Sequence, residues 1–344
     1  MEVLIPALFS IFLDYKCNFA CAHCSVGSNP RRSFPMSDDV LDRALMGIRQ
    51  IPTARVVVFT GGESTLQKSR LLRGIRMAHE VGYVTRLVSN GWWAKSPELA
   101  EAWVAELKAA GLDELNTSYD DFHEPFAPPD IIPNLIRAGL RAGLRLGVGV
   151  IVDARARWNA ESIKSFAAKA LGMSVAELER QVVFLEDYPT PSGTGRLLQV
   201  EDIPEPVDKI NIPCPAIVRT ISIHPDGSVK VCCGQSMFEH SDLTIGNLLE
   251  VPLLELIEAA RHNLMYWWIH MLGPKRILDR IGVSGHYTSI CHACQVLFTR
   301  YRDQAIQYLI EHRDEVLMKD VLMSDAIPLQ LKAVAARRAM LPDA

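Results

Sequence analysis

From residue 8 to about residue 190, short apolar runs alternate with longer stretches whose apolar positions recur at helical spacing. The runs Leu8 to Asp14, Val56 to Thr60, Val84 to Ser89, Glu114 to Ser118, Leu144 to Val152 and Val182 to Leu185 have the length and composition of strands. Between them the pattern predicts a helix from Ser37, as N-cap, to about Gln50. Further helices are predicted over Lys68 to Val81, Pro97 to Ala110, Pro133 to Ala142 and Ala160 to Leu171. Strands alternating with helices imply a parallel sheet with right-handed crossovers. Six such units predict an α/β fold, a partial (β/α)6 TIM-like barrel with its functional loops at the carboxyl ends of the strands.

The rhythm changes at Pro189-Thr190-Pro191-Ser192-Gly193-Thr194-Gly195, a Pro/Gly-rich stretch that reads as a loop leading out of the barrel. Beyond it, Thr220 to Ile223 and Ser228 to Val231 flank His224-Pro225-Asp226-Gly227, a hairpin signal. Leu253 to Leu272 reads as one helix, a polar loop carries Cys291 and Cys294, and the remaining chain reads as mostly helical. These changes divide the chain into a barrel over 1–205, a small α+β domain over 206–300 and a helical extension over 301–344. No internal repeat or low-complexity segment interrupts them.

Composition narrows the class. Hydrophobic residues make up 49% and charged residues 22%, with Lys+Arg 36 against Asp+Glu 40, the balance of a soluble globular protein. No basic excess points to nucleic acid. The opening Met1 to Pro6 is apolar but lacks a basic region and a small-residue cleavage site. The stretch Asn263 to Leu272 is about half the ~20 residues needed to cross a bilayer. The expectation is a cytoplasmic protein with no membrane partner.

Eight cysteines stand at 17, 21, 24, 214, 232, 233, 291 and 294. In a long apolar chain such tight groups read as metal or cluster ligation rather than disulfide staples. Cys17, Cys21 and Cys24 form C-x3-C-x2-C directly after the first strand. An iron-sulfur cubane normally takes four thiolates, so three would leave one iron open. The alternative is a zinc site of the three cysteines and His23, but His23 is adjacent to Cys24, and neighbouring side chains rarely reach one small ion without strain. Farther on, Gly227 suits a turn that brings Cys214 and Cys232 onto neighbouring strands, and Cys291-x2-Cys294 is a common metal knuckle. Those four would make a closed site for a cluster or a structural zinc.

The C-x3-C-x2-C loop after strand one resembles the radical S-adenosylmethionine (SAM) superfamily. The resemblance implies a 4Fe-4S cluster on Cys17, Cys21 and Cys24 whose open iron is chelated by SAM. It also implies reductive cleavage of SAM to a 5'-deoxyadenosyl radical that removes a substrate hydrogen atom. Gly61-Gly62-Glu63, at the end of the second strand, looks like the family's motif for the methionine amino group of SAM. Ser89-Asn90-Gly91 and Ser118-Tyr119-Asp120-Asp121 are similar to its later strand-end motifs. Cofactor contacts are therefore expected from His23, Gly61, Gly62, Glu63, Ser89, Asn90, Ser118 and Asp120; His123, two residues after Asp121, could face the substrate but is expected to be structural or solvated.

The second cysteine set resembles a twitch domain, the shortened SPASM form, implying one auxiliary 4Fe-4S cluster on Cys214, Cys232, Cys291 and Cys294. Cys233 is left over, as a small buried residue beside a ligand, as a thiol that trades places with Cys232, or as one that returns a hydrogen atom to a substrate radical. The resemblance also implies an external one-electron reductant such as flavodoxin or ferredoxin. Only sixteen residues precede Cys17, which tilts the expected substrate toward a small polar, sugar-like molecule that is oxidised or epimerised. Peptide or protein modification is the alternative within the family. A non-catalytic iron-sulfur or zinc protein is the alternative outside it.

Overall fold

A computed structural model describes residues 4–203 and 205–322. Its six leading strands are β1 (Leu8–Phe12), β2 (Val56–Thr60), β3 (Val84–Ser89), β4 (Glu114–Ser118), β5 (Arg145–Ile151) and β6 (Val182–Asp187). Each pairs in parallel with its sequence neighbour. The crossovers are α1 (Asp38–Arg49), α2 (Lys68–Glu80), α3 (Pro97–Ala109), α4 (Ile131–Arg141) and α5 (Ala160–Leu171), with a short α6 (Val175–Glu179) before β6. The predicted boundaries hold to within a few residues because the local signals are strong. Ser37 accepts from the Val40 N–H as N-cap of α1, for example, and Asn159 forms a capping box with Ser162 on α5.

One face of each of these helices packs on the sheet, and the resulting core runs through Phe9, Ile11, Leu41, Ile48, Phe59, Leu71, Leu115 and Ile163. Because all six strands are parallel, their carboxyl ends lie on one side. Thr60, Ser89, Ser118 and Ile151, from β2 to β5, line a single cavity together with the loop after β1. The sheet therefore curls as a partial barrel.

The chain then passes through α7 (Val207–Ile210) and returns to the sheet. Strand β7 (Thr220–Ile223) lies parallel to β1, and β8 (Ser228–Lys230) and β9 (Thr244–Asn247) follow antiparallel, giving the order β6-β5-β4-β3-β2-β1-β7-β8-β9. The second unit is thus hydrogen-bonded to the barrel's first strand. The β7–β8 turn forms as its residues require: Gly227 has φ +82° and Asp226 accepts from the Ser228 N–H at 3.0 Å.

Two expectations change here. The span Leu253 to Leu272 is two helices, α8 (Leu253–Arg261) and α9 (Leu264–Met271), because Asn263 accepts from the Met265 and Tyr266 N–H groups and starts a new helix. Cys291 and Cys294 are not on a loop. After α10 (Pro274–Arg280) they sit in the first turns of α11 (Ile290–Arg300), which Ser289 caps.

A second core gathers Phe12, Val231, Trp268, Ile277, Leu297 and neighbours around α9 to α11 and α12 (Arg302–Glu311). The helical expectation for 301–344 holds to residue 322; the rest lies outside the described residues. No helix among the described residues is long and apolar enough to cross a membrane.

Candidate cluster and cofactor sites

The loop after β1 is fixed at its base by Asp14. Its carboxylate accepts from the N–H groups of Lys16 (3.0 Å) and Phe34 (2.7 Å) and from Gln67 Nε2 (2.9 Å). Gly62 N–H donates to Asp14 O and Glu63 N–H to Lys16 O, each at 2.8 Å. A Cβ on Gly61 would lie 2.3 Å from Asp14 O, and one on Gly62 would lie 2.2 Å from Lys16 O. The glycine pair therefore first serves the close approach of two protein backbones, β2's end against the cysteine loop.

Gly193-Thr194-Gly195 supports the same loop from behind. Thr194 N–H donates to Cys24 O at 3.0 Å, and its hydroxyl lies 3.0 Å from Cys21 O and 3.1 Å from Cys24 O. A Cβ on Gly193 would meet Cys24 O at 2.3 Å. In sequence this stretch shows only a loop leading out of the barrel. Its Gly-x-Gly pattern was the available signal, and the contact with a loop far away in sequence was not.

Cys17, Cys21 and Cys24 line one cavity of about 250 Å³ with His23, Gly61, Gly62, Ser89, Asn90, Ser118, His123 and Gln235. Cys17 Sγ receives the Phe19 N–H at 3.3 Å and Asn90 Nδ2 at 3.5 Å, and Cys24 Sγ receives the Ser28 N–H at 3.4 Å. Burial pushes the Cys17 thiol up to about 12, with the Glu63 and Cys24 charges adding to it, and pushes Cys21 up as well. Such thiols release their protons when a metal centre takes them.

His23 Nδ1, Ser28 Oγ and Gln235 Oε1 are buried polar atoms without a partner in the protein, and all three residues line this cavity. Orphaned polar atoms around a cavity are what a polar ligand would satisfy. Burial holds His23 neutral, its pKa down at about 4.

Two expected cofactor contacts lie behind the cavity wall. Glu63 is fully buried; Oε1 accepts from Thr65 N–H (3.0 Å), the Thr65 hydroxyl (2.5 Å) and the Ser89 hydroxyl (3.0 Å), and Oε2 from Asn90 N–H (2.7 Å). Burial raises its pKa against those hydrogen bonds. Glu63 thus orients Ser89 and Asn90, which do line the cavity.

Asp120, also fully buried, accepts from Ile151 N–H at 3.1 Å and from Phe122 N–H at 3.0 Å, and its Oδ1 lies 2.7 Å from His123 Nδ1. Burial acts to raise its pKa, but His123 and these bonds bring it down. His123 is buried rather than solvated and faces the cavity.

Among the described residues, the one His/Cys/Asp/Glu group tight enough for a single ion is His23, Asp120 and His123, within 4.8 Å. The three thiols do not gather round one ion with His23 as a zinc site requires; sharing a cavity suits thiolates that each bind a separate iron.

The second set is assembled from three segments. Cys214 is held by its N–H to Ile269 O (3.2 Å) and by its carbonyl, 2.9 Å from His270 Nδ1. Cys232 follows β8, and Cys291 and Cys294 open α11. A Cβ on Gly234 would lie 2.9 Å from Cys291 Sγ and 3.9 Å from Cys232 Sγ. Burial raises the pKa of all four thiols, Cys291 to about 12, and charge on neighbouring cysteines raises each further: Cys233 for Cys214, Cys294, Cys214 and Cys233 for Cys232, Cys214 and Cys233 for Cys291, and Cys214 and Cys291 for Cys294. The helix N-terminus under Cys291 and Cys294 favours thiolate. Cys233, in contrast, is exposed, which corrects the reading of a small buried residue.

The fold and these two thiol sites define a two-site iron-sulfur protein on a partial barrel. Residues 13–141 match the radical SAM superfamily, and residues 214–295 match SPASM, an iron-sulfur cluster-binding domain. The chain is a radical SAM superfamily enzyme with a SPASM/twitch-type domain, and these domains imply SAM and two 4Fe-4S clusters.

Among its relatives is YydG of Bacillus subtilis (strain 168), whose name connects it with peptide biosynthesis. It is 22% identical over 299 residues, spanning 84% of this chain and 91% of YydG. Solved structures matched by the chain include BtrN in complex with AdoMet and 2-DOIA (15% identity, 76% of this chain and 84% of BtrN, TM-score 0.44). Streptococcus suis SuiB bound to S-adenosylmethionine is another (14% identity, 75% and 68%, TM-score 0.45).

Proposed function

We propose that this enzyme inverts a stereocentre in a peptide, with Cys233 as the hydrogen-atom donor. The observation that carries the reading is the division among the second-set cysteines: Cys232 and Cys294 are buried, Cys214 and Cys291 are half-buried, and the fifth, Cys233, is exposed beside Cys232 on the segment that sends Gln235 into the first cavity. The YydG relationship supports a peptide over the small polar substrate that the short stretch before Cys17 suggested.

Cys17, Cys21 and Cys24 would hold the SAM-binding cluster, and Cys214, Cys232, Cys291 and Cys294 the auxiliary one. SAM bound at the first cluster supplies hydrogen-atom abstraction. Gly61, Gly62, Ser89, Asn90, Ser118 and His23 would contact SAM, with Glu63 and Asp120 holding that wall in place.

After a hydrogen atom leaves the substrate carbon from one face, the Cys233 S–H bond breaks and a C–H bond forms on the other face. The sulfur-centred radical returns to thiol by taking one electron from an external carrier of the flavodoxin or ferredoxin class and a proton from solvent.

The test is turnover of candidate peptide substrates in deuterated water, starting with any short peptide that a neighbouring gene encodes. The inverted residue should carry one solvent deuterium, because the thiol exchanges. Cys233→Ala should keep 5'-deoxyadenosine formation and stop inversion. Inversion at the normal rate without Cys233 would sink the reading.

A second reading draws on the buried Asp120–His123 pair facing the same cavity. Such a pair suits acceptance of a proton from an alcohol being oxidised. The product would then lose two hydrogens, one as an atom to the SAM-derived radical and one as a proton to this pair, with the remaining electron passing to the auxiliary cluster, and would gain no deuterium.

A further inference from the structure

The peptide bond between Cys232 and Cys233 is gripped at both ends by side chains of one strand. The Cys232 carbonyl accepts from the Ser222 hydroxyl at 2.8 Å, and the Cys233 N–H donates to the Thr220 hydroxyl oxygen at 3.3 Å. Thr220 and Ser222 are alternate residues of β7 and share one face, as does His224 just beyond the strand. The series continues: His224 Nε2 is 3.1 Å from Ser222 Oγ, and His224 Nδ1 is 2.7 Å from the hydroxyl of Tyr15, two residues before Cys17. Phe12 stacks on the His224 ring at 4.6 Å, and the ring is fully buried.

Donor counting fixes the direction of every bond. Ser222 Oγ lies near two acceptors, Cys232 O at 2.8 Å and Met237 Sδ at 3.0 Å, and since a carbonyl is a much stronger acceptor than a thioether, the single Ser222 proton goes to Cys232 O. Ser222 Oγ must then receive Nε2–H from His224, which leaves Nδ1 to accept from the Tyr15 hydroxyl. Thr220 obeys the same count, donating to Ala216 O at 2.9 Å while accepting from Cys233. The result is an ordered series from the first cysteine loop, across the face of β7, to the bond that joins an auxiliary-cluster ligand to the exposed thiol. Because a peptide unit is planar, fixing its carbonyl and its N–H fixes the direction in which the Cys233 Cα–Cβ bond leaves the chain.

We propose that Tyr15, His224, Ser222 and Thr220 are positioning residues that aim the Cys233 thiol relative to the first cluster loop. This rests on the reading of Cys233 as hydrogen donor. The residues touch no substrate and act through the Cys232–Cys233 peptide. Their alternation with Ile221 and Ile223 gives the device a rigid support, since those two side chains are fully buried on the opposite face.

The test uses Thr220→Val, nearly the same shape without the acceptor oxygen, together with Ser222→Ala and the conservative Thr220→Ser, all in the fully reconstituted protein. In Thr220→Val and Ser222→Ala, inverted product per 5'-deoxyadenosine released should fall about tenfold, the scale of a small misplacement of a reacting group. Iron content and the spectrum of the reduced auxiliary cluster should stay unchanged. Alkylation of Cys233 by iodoacetamide should change in rate several-fold, and Thr220→Ser should restore both quantities. The proposal is overturned if Thr220→Val keeps the wild-type product ratio and the wild-type alkylation rate. Should Cys233→Ala still invert normally, the donor reading falls, but an altered alkylation rate in Thr220→Val would still assign the aiming of this thiol to the β7 face.

Discussion

The two thiol sites are built in opposite ways. The first takes its cysteines from eight consecutive residues, 17 to 24, and spends the rest of the fold on supporting that loop: Asp14 below, Gly61-Gly62 beside it and Gly193-Thr194-Gly195 behind. The second takes its cysteines from three segments spread between residues 214 and 294, and the fold itself is what brings them together. The locally encoded site keeps an open face, because the elements around its loop supply no fourth cysteine and leave a cavity in front of the three thiols. A site assembled from the loop before β7, the end of β8 and a helix is approached from several directions and offers four thiolates. That difference matches an open, cofactor-binding centre in one region and a closed auxiliary centre in the other.

The largest effect should come from the first site. Cys17→Ala should bring 5'-deoxyadenosine formation to background and remove about half the iron, since a cubane with two protein thiolates is poorly held. Measurement of iron, sulfide and nucleoside on anaerobically reconstituted protein checks this. Activity at the wild-type level would break the assignment of the open site.

Cys214→Ala should remove a similar share of iron but leave SAM cleavage largely intact, because no element of the first loop depends on Cys214. Loss of both clusters in this variant would show that the two sites are not independent.

Gly62→Ala should act through packing alone. Its Cβ would press on Lys16 O, and moving two backbones apart costs about 2–3 kcal/mol. The melting temperature should fall, and the first cluster should load less fully while the second is unaffected. Equal loss at the two sites would blur the contrast between them.

Much of the barrel was legible because its signals are local. Ser37, Asn159 and the alternating apolar runs act over a few residues, so the strands and helices appear where the pattern puts them. The cysteine spacings were legible for the same reason. Less legible was anything that depends on who meets whom. The break at Asn263 sat inside an apolar stretch that reads as one helix, and a single side-chain cap decided it. Glu63 and Asp120 belonged to strand-end motifs, but whether each faces the cavity or lies behind its wall is a matter of rotamer and neighbours. His123 has no distinguishing local context; its bond to Asp120 and its place in the cavity come from the fold.

By itself, then, the chain's order of residues determined the parallel barrel, the trio of thiols and the grouping of the later cysteines, because period, caps and short spacings are properties of contiguous chain. Only the tertiary structure decided that Gly193 to Gly195 back the cysteine loop, that Cys233 is exposed while Cys232 and Cys294 are buried, and that the polar face of β7 links Tyr15 to Cys232. Each of those rests on contacts between segments far apart in sequence, and hydrogen-bond partners at such distances are chosen by packing rather than by pattern.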